Sequence, residues 1–469
     1  MNRKIIFIIF IFNIFVFCAG ISKNTSISTR ESIKETQKSR ARRHTTLTLH
    51  EAIEIAYCVK PNIKLYKHAV EESKMVAQQA LSGYFPQVTL TSGISKNRGD
   101  PTTNYKVNVI AEQLVYSFAG PIEKYKKARK NMQIVSIEGD KEKKELRHEL
   151  EKVFLECWKL QQQSKVVNAL YKAAKSDLQK ARHAYKVHLT DKSEWLKSLS
   201  AYKDSMRDID IYYDSITLGQ KKLEFFMGQP IKLSVSEAKV KGLFKDNQIL
   251  EVTLIWDETK DVSLKSLGYY YSLANKTKED LKIADKKIAI ARDDLYIARG
   301  SRLPTVGLTA GIDYTAGGAY PSVMSADQPF SVNHHWCTHN FGIGLSWKIF
   351  DGALSRFEEN AAHAKILKEI LTKDDTHQKI QWDIQKAYYQ LSQDRIKWVA
   401  KNAELTAAHN DLVLNKKKFE IGDISKVEFN VSVSNWERAY FEWLDGKTAM
   451  LIDARDLAYQ CGYPDELSR

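Results

Sequence analysis

Apolar and polar residues alternate in four short stretches of a chain that otherwise has helical periodicity. These stretches are Gln87–Ile94, Tyr105–Ala111, Thr305–Tyr314 and Phe341–Ile349. In the first, apolar Val88, Leu90 and Ile94 alternate with polar residues, and Gln113 is the one residue that interrupts an apolar row. Because successive side chains of a strand point to opposite faces, the pattern predicts four β-strands, each with one apolar and one polar face.

Long segments between these strands have helical spacing. Apolar residues keep the same heptad phase through 199–227 and, 234 positions later, through 433–461, which favours helix-on-helix packing over a lone amphipathic helix. No proline follows Pro121 until well past position 187, so this segment predicts one helix about 100 Å long. A second long helix is predicted at 353–420. Shorter helices are predicted at 48–83, 190–227, 264–301 and 423–461.

The chain is an internal repeat. YFPQVTLTSGI (84–94) matches RLPTVGLTAGI (302–312), and LVYSFAG, ending at Gly120, matches SWKIFDG, ending at Gly352. The offset rises from 218 to 232 positions between these matches, so the second copy carries 14 extra residues between its strands. We predict a first structural repeat at 46–230, a connector at 231–263 and a second repeat at 264–469. Each repeat has the order helix, strand, strand, long helix, helix.

Prolines and glycines mark the predicted junctions between helices and strands. Pro86 and Pro304 each precede a predicted strand, and the residue before a proline disfavours the helical conformation. Gly120 and Gly352 follow the second strand of each copy and precede the long helices. We therefore predict helix-to-strand junctions at the prolines and strand-to-helix junctions at the glycines.

The N-terminus has the layout of a secretory signal. MNRK precedes the apolar run IIFIIFIFNIFVF, which ends at Cys18, Ala19 and Gly20. This predicts a signal peptide at 1–20 and leaves a basic flexible tail at 21–45. A buried or anchoring helix is one alternative, and acylation of Cys18 is another, although Phe17 stands where a lipoprotein signal has a small residue. No later segment approaches 18 uninterrupted apolar residues, so the exported chain is either soluble or membrane-inserted as strands.

Charge and cysteine content narrow the function further. The net charge is +14, and half of it lies before position 44, with no basic patch on a nucleic-acid-binding module. The remaining cysteines, Cys58, Cys157, Cys337 and Cys461, form no CxxC pair. No G-x-S-x-G, H-E-x-x-H or Walker motif occurs, so we predict neither an enzyme nor a cofactor. We interpret His334–His339 as a polar loop in the longer hairpin rather than a metal site.

The predicted strands raise a problem of closure. Each is about as long as a tilted membrane strand, and aromatic residues collect near the strand ends as in interfacial girdles. The alternative is a sheet packed on one side against helices. In a membrane, four strands would leave unpaired edges, so several chains must share one barrel. A membrane location would therefore require oligomerisation, and the number of chains does not follow from the sequence.

Three segments carry a resemblance to a known family. The chain resembles TolC-type outer membrane factors (the outer membrane efflux protein family) at Leu47–Ile94, from Trp347 onward, and at Phe419–Gly462. The resemblance implies a mainly α fold with transmembrane β structure. A long antiparallel helical barrel would continue into a β-barrel shared by a homotrimer, with four strands from each protomer. It also implies an outer-membrane location with a large periplasmic portion. The partners would be a periplasmic adaptor protein and an inner-membrane pump, in drug efflux or type I secretion.

The resemblance also implies a periplasmic tip with acidic constrictions. Glu194 and Glu428 match the acidic positions of the pore, and rings of carboxylates would raise one another's pKa values. The alternative is that both are solvated first-turn residues favoured by the helix dipole. The tip turns would contain Thr190, Asp191, Gly422, Asp423 and Ser425. Val431, Ile424 and His188 depart from the family pattern, so the family's particular gating bonds are not predicted for this chain.

Two other functions stay open at this stage. One is an exported soluble coiled-coil scaffold with small β-hairpins, and the other is a lipid-anchored surface protein that depends on Cys18. Apolar rows on all four strands favour the channel, which exports its cargo passively.

Overall fold

The computed structural model describes residues 46–95, 104–118, 120–233, 251–255, 264–318 and 333–463. The predicted signal peptide with Cys18, the predicted tail and most of the predicted connector lie outside these residues. Segment 319–332, between the last two strands, also lies outside them.

Each repeat contains two short helices, one very long helix and one of intermediate length. The first repeat contains α1 (Leu49–Val59), α2 (Pro61–Leu81), α3 (Pro121–Lys186) and α4 (Lys192–Met227). The second contains α5 (Leu267–Thr277), α6 (Glu279–Gly300), α7 (Leu354–Glu420) and α8 (Lys426–Gln460). Helices α3 and α7 have 66 and 67 residues, which corresponds to about 100 Å each. The two long helices predicted from the sequence are confirmed.

The helices pack side by side in one order. α2 and α4 both lie along α3, whereas α6 and α8 lie along both α3 and α7. We call α2 with α4 the first column and α6 with α8 the second column. The order across the molecule is therefore first column, α3, second column, α7. Within the described residues, α7 and the first column each keep a face that no other helix covers.

A row of ion pairs lines the contact between α3 and the second column, and most of them have the same polarity. Six pairs have the lysine on α3 and the carboxylate on the column: Lys127–Asp294, Lys130–Asp293, Lys141–Asp280, Lys144–Glu279, Lys152–Asp456 and Lys159–Asp445. One pair near the tips, Lys426–Asp177, has the reverse polarity. The Lys130 Nζ atom lies 2.7 Å from both Asp293 carboxylate oxygens. We call this surface the inter-repeat contact, because it joins the long helix of one repeat to the column of the other.

Four antiparallel strands form one sheet in the order β2-β3-β6-β7. Their bounds are β2 (Gln87–Ser95), β3 (Asn104–Ser117), β6 (Thr305–Gly318) and β7 (Asn333–Ser346). Pairing of β3 with β6 joins the repeats, with Val109 opposite Ile312 and an irregularity between Leu114 and Tyr116. The four predicted strands and the mainly helical fold class are confirmed.

A small parallel sheet and the main apolar core lie beside the middle of the helices. The sheet has the order β1-β5-β4, from Thr46–Thr48, Glu251–Ile255 and Lys232–Leu233. Leu150 and Phe154 of α3 are fully buried in the adjoining core with Leu223 of α4 and Leu444 of α8.

The single helices predicted at 48–83 and 264–301 were wrong, because each is broken in two. The breaks fall at Lys60 and Lys278, whose ψ angles of 125° in both cases interrupt the helical path. Pro61 explains the first break, since proline disfavours helical geometry in the residue before it. The second break has no proline. There, the Lys278 Nζ atom donates to the Tyr459 carbonyl at 3.2 Å, a tertiary contact that local sequence does not reveal.

The loop predicted at His334–His339 was also wrong. These residues lie in β7, where His339 pairs with Ile312 and Cys337 with Tyr314. Both hairpin strands of the second repeat are 14 residues long, so pairing with β6 extends the strand into the segment that looked like a loop.

Candidate functional site

One face of the four-stranded sheet is apolar and uncovered. Val88, Leu90 and Ile94 of β2 are exposed, as are Phe341, Ile343 and Leu345 of β7, and Ile343 keeps 73% of its accessible surface. The strand register connects Val88 to Phe341 through Ala111 and Ala310 of the inner strands. All nine residues of β2 are exposed, so the alternative of a sheet packed against helices was wrong. A continuous exposed apolar face of this kind marks a membrane or protein contact.

The opposite face of the sheet is polar. Thr91 pairs with Asn108, which pairs with Asp313, which in turn pairs with Thr338. The exception in the apolar row, Gln113, lies at the helix end of β3 and donates from Nε2 to the Tyr84 carbonyl at 3.4 Å. Its amide therefore has a partner at the junction.

The structure places the four predicted junction residues between helices and strands. Pro86 lies between the 3-10 turn Ser82–Tyr84, which follows α2, and β2. Pro304 lies between α6 and β6. Gly120 is the N-cap of α3, where an added Cβ would lie 2.6 Å from Ser117 Oγ. Gly352 precedes α7 with a φ of 66°, a conformation that favours glycine.

The two predicted tips are tight turns between long helices and the helices after them. The turn after α3 has His188 at φ 55°, followed by Thr190 and by Asp191, which is the N-cap of α4. The turn after α7 has Gly422 at φ 80°, followed by Asp423 and by Ser425, which is the N-cap of α8. His188 thus stands where the second repeat has glycine.

The two predicted pore glutamates have different surroundings. Glu428 forms a capping box with Ser425: its carboxylate accepts from the Ser425 N–H at 2.9 Å, and the Ser425 hydroxyl accepts from the Glu428 N–H at 3.2 Å. The hydrogen bonds from the Ser425 backbone and hydroxyl hold the pKa of Glu428 below its ordinary value. Glu194 lies in the first turn of α4, where Asp191 makes no side-chain cap bond. Within one protomer the pKa of Glu428 is therefore lowered, whereas a ring of carboxylates would raise it.

Sequence reasoning missed two features of the tips. Tyr185 stacks on Trp195 with ring centres 5.6 Å apart, and Phe419 stacks on Phe429 at 5.2 Å. The two stacked pairs are related by the same offset of 234 positions, so the repeat could have predicted them. Separately, the Lys426 Nζ atom of α8 lies 3.3 Å from Asp177 of α3 and joins the two helical hairpins near their tips. No sequence signal predicts that ion pair.

Neither a membrane-spanning helix nor a metal site is found in the described part of the chain. None of its helices combines the length and apolar character needed to cross a bilayer. No group of three or more His, Cys, Asp or Glu side chains there is placed to hold a metal ion.

Long antiparallel helices that run into an uncovered antiparallel sheet define the fold of an outer-membrane channel. The fold is similar to that of the Campylobacter jejuni CmeC outer membrane channel, with a TM-score of 0.67 and 13% identity over 88% of this chain and 85% of that chain. It is also similar to the open state of the Neisseria gonorrhoeae MtrE outer membrane channel, with a TM-score of 0.66 and 13% identity over 88% of both chains. CusC, whose structures describe transmembrane channel formation, gives a TM-score of 0.66 and 13% identity over 90% and 94%.

The sequence itself carries the family assignment. Residues 270–462 match the family model described as outer membrane efflux protein. No curated protein matches the sequence. Over this second repeat the chain matches the outer membrane efflux protein family, of TolC type, and the match confirms the resemblance. It is an outer-membrane transport protein with a large periplasmic portion, serves as an exit duct for efflux and is not an enzyme.

Proposed function

We propose that the protein is the passive, trimeric exit duct of a tripartite efflux pump or a type I secretion system, with a closable periplasmic entrance. The observation that carries this proposal is the pair of unpartnered edges on one protomer. β2 and β7 end the sheet, whereas the first column and α7 end the helical layer. Edges of this heterologous kind close into a ring of identical chains.

The repeat supports the ring at the level of single residues. With the offset of 234, Trp382 and Tyr389 of α7 are equivalent to His148 and Leu155 of α3, which face the second column. Trp382 and Tyr389 are nevertheless exposed, with 63% and 53% of their surface accessible. A first column from another chain would cover them as the second column covers α3.

The uncovered face of the first column is equivalent to the acidic face of the second column. With the offset of 218, Met75 and Val76 correspond to Asp293 and Asp294, and with 234, Ile211 corresponds to Asp445. These apolar residues are exposed, together with Leu218 and Phe225. We call the surface that they would form with α7 the inter-protomer contact. It replaces the ion pairs of the inter-repeat contact with apolar side chains, which stabilise association by burial.

Three protomers would give twelve strands and a closed barrel. A closed sheet removes the unpaired N–H and C=O groups that β2 and β7 would otherwise expose to hydrocarbon. The exposed row from Val88 to Leu345 would face lipid and the row containing Asn108 and Asp313 would face the lumen, as in other transmembrane barrels. The number of chains, three, is taken from the resemblance to the outer membrane factor family.

The helical tips would form the entrance. We propose that Glu194 and Glu428 line the constriction, and that Thr190, Asp191, Gly422, Asp423 and Ser425 shape its turns. The Lys426–Asp177 ion pair would hold the second hairpin against α3 in the closed state. A periplasmic adaptor and an inner-membrane pump would supply energy and cargo, since the chain has no nucleotide motif. The junction residues Pro86, Pro304, Gly120 and Gly352 would mark where the tunnel becomes the barrel, in repeats bounded at 46–230 and 264–469.

Fractionation combined with heat-modifiability tests the proposal. The protein should be extracted from outer membranes only by detergent, and unheated samples should migrate as a trimer that heating converts to monomer. Recovery as a soluble monomer would instead favour the exported coiled-coil scaffold. Detergent extraction of a monomer labelled on Cys18 with lipid would favour the anchored surface protein.

A further inference from the structure

Two carboxyl groups meet inside the second helical hairpin. Asp394 of α7 and Asp453 of α8 are hydrogen-bonded to each other, and Asp394 is only 8% exposed. The Oδ2 atom of Asp453 is buried and has no hydrogen-bond donor. An ionised carboxylate has only acceptors, so two carboxylates can share a hydrogen bond only if one of them is protonated.

The surrounding charges decide which carboxyl group holds the proton. The Lys397 Nζ atom lies 2.7 Å from Asp394 Oδ1 and favours the charged form of Asp394. Asp456, also facing this site from α8, has its own cations on α3: His148 Nε2 at 2.9 Å and Lys152 Nζ at 3.0 Å. Among the described residues, no ion pair reaches Asp453. It is therefore the neutral acid between two ionised ones.

The pKa directions agree with this geometry. Burial, the hydrogen bond to Asp394 and the nearby Asp394 and Asp456 charges raise the pKa of Asp453 to about 7. Although burial opposes it, the hydrogen bonds from Lys397 and Asp453 keep the pKa of Asp394 below its ordinary value.

The first repeat has an apolar contact in the same place. The positions equivalent to Asp394 and Asp453, 234 residues earlier, are Leu160 and Gly219. A Cβ atom added at Gly219 would lie 3.4 Å from Leu160 Cδ1, so the two positions face each other there as well. The α3–α4 hairpin has the buried Cys157 thiol at this contact, with Sγ 3.1 Å from that added Cβ atom. It has no carboxyl group there, whereas the α7–α8 hairpin has two.

We propose that the Asp394–Asp453 pair is a proton-operated joint, present only in the second hairpin, that fastens α7 to α8 when protonated and loosens them when the proton leaves to water. The joint lies 27 residues from the start of α8, or about 40 Å from the tip. Loosening there would change the tilt of the hairpin that carries Gly422 and Glu428. This inference goes beyond the proposed function and depends only on the fold of one protomer.

The sign of the pH dependence follows from linkage. The folded pKa of Asp453 lies above its unfolded value, so the folded hairpin binds more protons between about pH 4 and pH 7. The stabilisation is complete at the lower end of that range, is lost as the pH rises, and is absent above about pH 7.

Hydrogen exchange of the full-length protein in detergent, read by mass spectrometry on peptides covering α8, tests the joint. After correction for intrinsic exchange rates, the opening constant of wild-type α8 near Asp453 should rise by up to tenfold per pH unit between pH 4.5 and 6.5 and level off above pH 7. Asp453→Asn keeps a hydrogen-bond donor to Asp394 and cannot ionise, so its profile should be flat. His148 is retained in both proteins, so the difference between them reports Asp453.

Two further variants make the result decisive. Asp445→Asn, on the same helix but half-exposed, should keep the wild-type profile. The double variant Asp394→Leu/Asp453→Gly, which copies the first repeat, should be flat and serves if Asp453→Asn does not fold. Parallel pH profiles for wild type and either joint variant would overturn the proposal. Because the readout is local, this outcome is independent of whether the protein proves to be a trimer.

Discussion

Lys278 donates from Nζ to the Tyr459 carbonyl at 3.2 Å and lies 4.6 Å from the centre of the Tyr459 ring. Lys60, 218 positions earlier, donates to the Phe225 carbonyl at 2.5 Å and lies 4.0 Å from the Phe225 ring. Tyr459 and Phe225 are themselves equivalent, 234 positions apart. Each lysine thus neutralises the carbonyl end of α8 or α4 at the point where the adjacent helix is broken.

Replacing these lysines should destabilise the helix ends. Lys278→Met removes a buried ammonium donor from the Tyr459 carbonyl, which keeps only its hydrogen bond from the backbone of the following turn, with the Gly462 N–H at 2.8 Å. We therefore expect a loss of about 1–2 kcal/mol. Lys60→Met should cost about 0.5–1 kcal/mol, since Phe225 is exposed and solvent can replace the ammonium group. Thermal unfolding gives the global effect, and exchange of the amides at 457–461 gives the local one. Equal losses for both variants would contradict a role for burial.

The two tip turns offer a matched pair of substitutions. His188 adopts φ 55° without being glycine, so His188→Gly should stabilise the first hairpin by up to about 1 kcal/mol. Gly422→Ala forces a side chain into φ 80°, where an added Cβ meets no atom within 4 Å, and should cost about 1–2 kcal/mol from backbone strain alone. Exchange protection of each turn measures the effect. Stabilisation by Gly422→Ala would contradict the strain argument.

The charge of Glu428 can be separated from its capping role. Glutamine also completes a capping box, so Glu428→Gln should keep the start of α8 while removing one negative charge per protomer. We expect lower cation selectivity in planar-bilayer conductance. Ser425→Ala is the converse control: it breaks the cap, keeps the charge and should leave selectivity unchanged. If Glu428→Gln conducts like the wild type, Glu428 does not line the constriction.

The inter-protomer contact should respond to charge as an apolar surface does. Leu218→Glu or Tyr389→Glu would bury a carboxylate without a partner, so we expect the trimer band to be lost on unheated gels. Lys159→Met is the control, because it removes an ion pair of the inter-repeat contact and should leave the trimer intact. Since apolar contacts are not screened by salt, wild-type trimers should persist at high ionic strength. Trimers that survive both glutamate substitutions would exclude this surface.

Sequence periodicity predicted the strands and long helices because both depend on a regular row of apolar residues. The break at Lys278 could not be predicted in the same way, because it depends on contact with Tyr459, far away in sequence. His334–His339 was predicted to be a loop because this end of β7 lacks the alternating apolar residues that indicate a strand. Its strand conformation follows from pairing with β6, where His339 lies opposite Ile312. The repeat aligned Glu194 with Glu428, but only the structure shows how their surroundings differ. Ser425 forms a capping box with Glu428, whereas Asp191 makes no side-chain cap bond at the start of the helix that contains Glu194. Their role in the pore stays a prediction.

The pairing of β3 with β6 has a consequence for the order of events during biogenesis. About 190 residues separate the end of β3 from the start of β6, and synthesis at about 5–20 residues per second places roughly 10–40 s between them. Throughout that interval β3 has a free edge and Val107 and Val109 have no β6 partner. Long-range pairings of this kind form slowly. The four-stranded sheet is therefore completed only after the second hairpin has been made, and the edge of β3 stays unpaired until then.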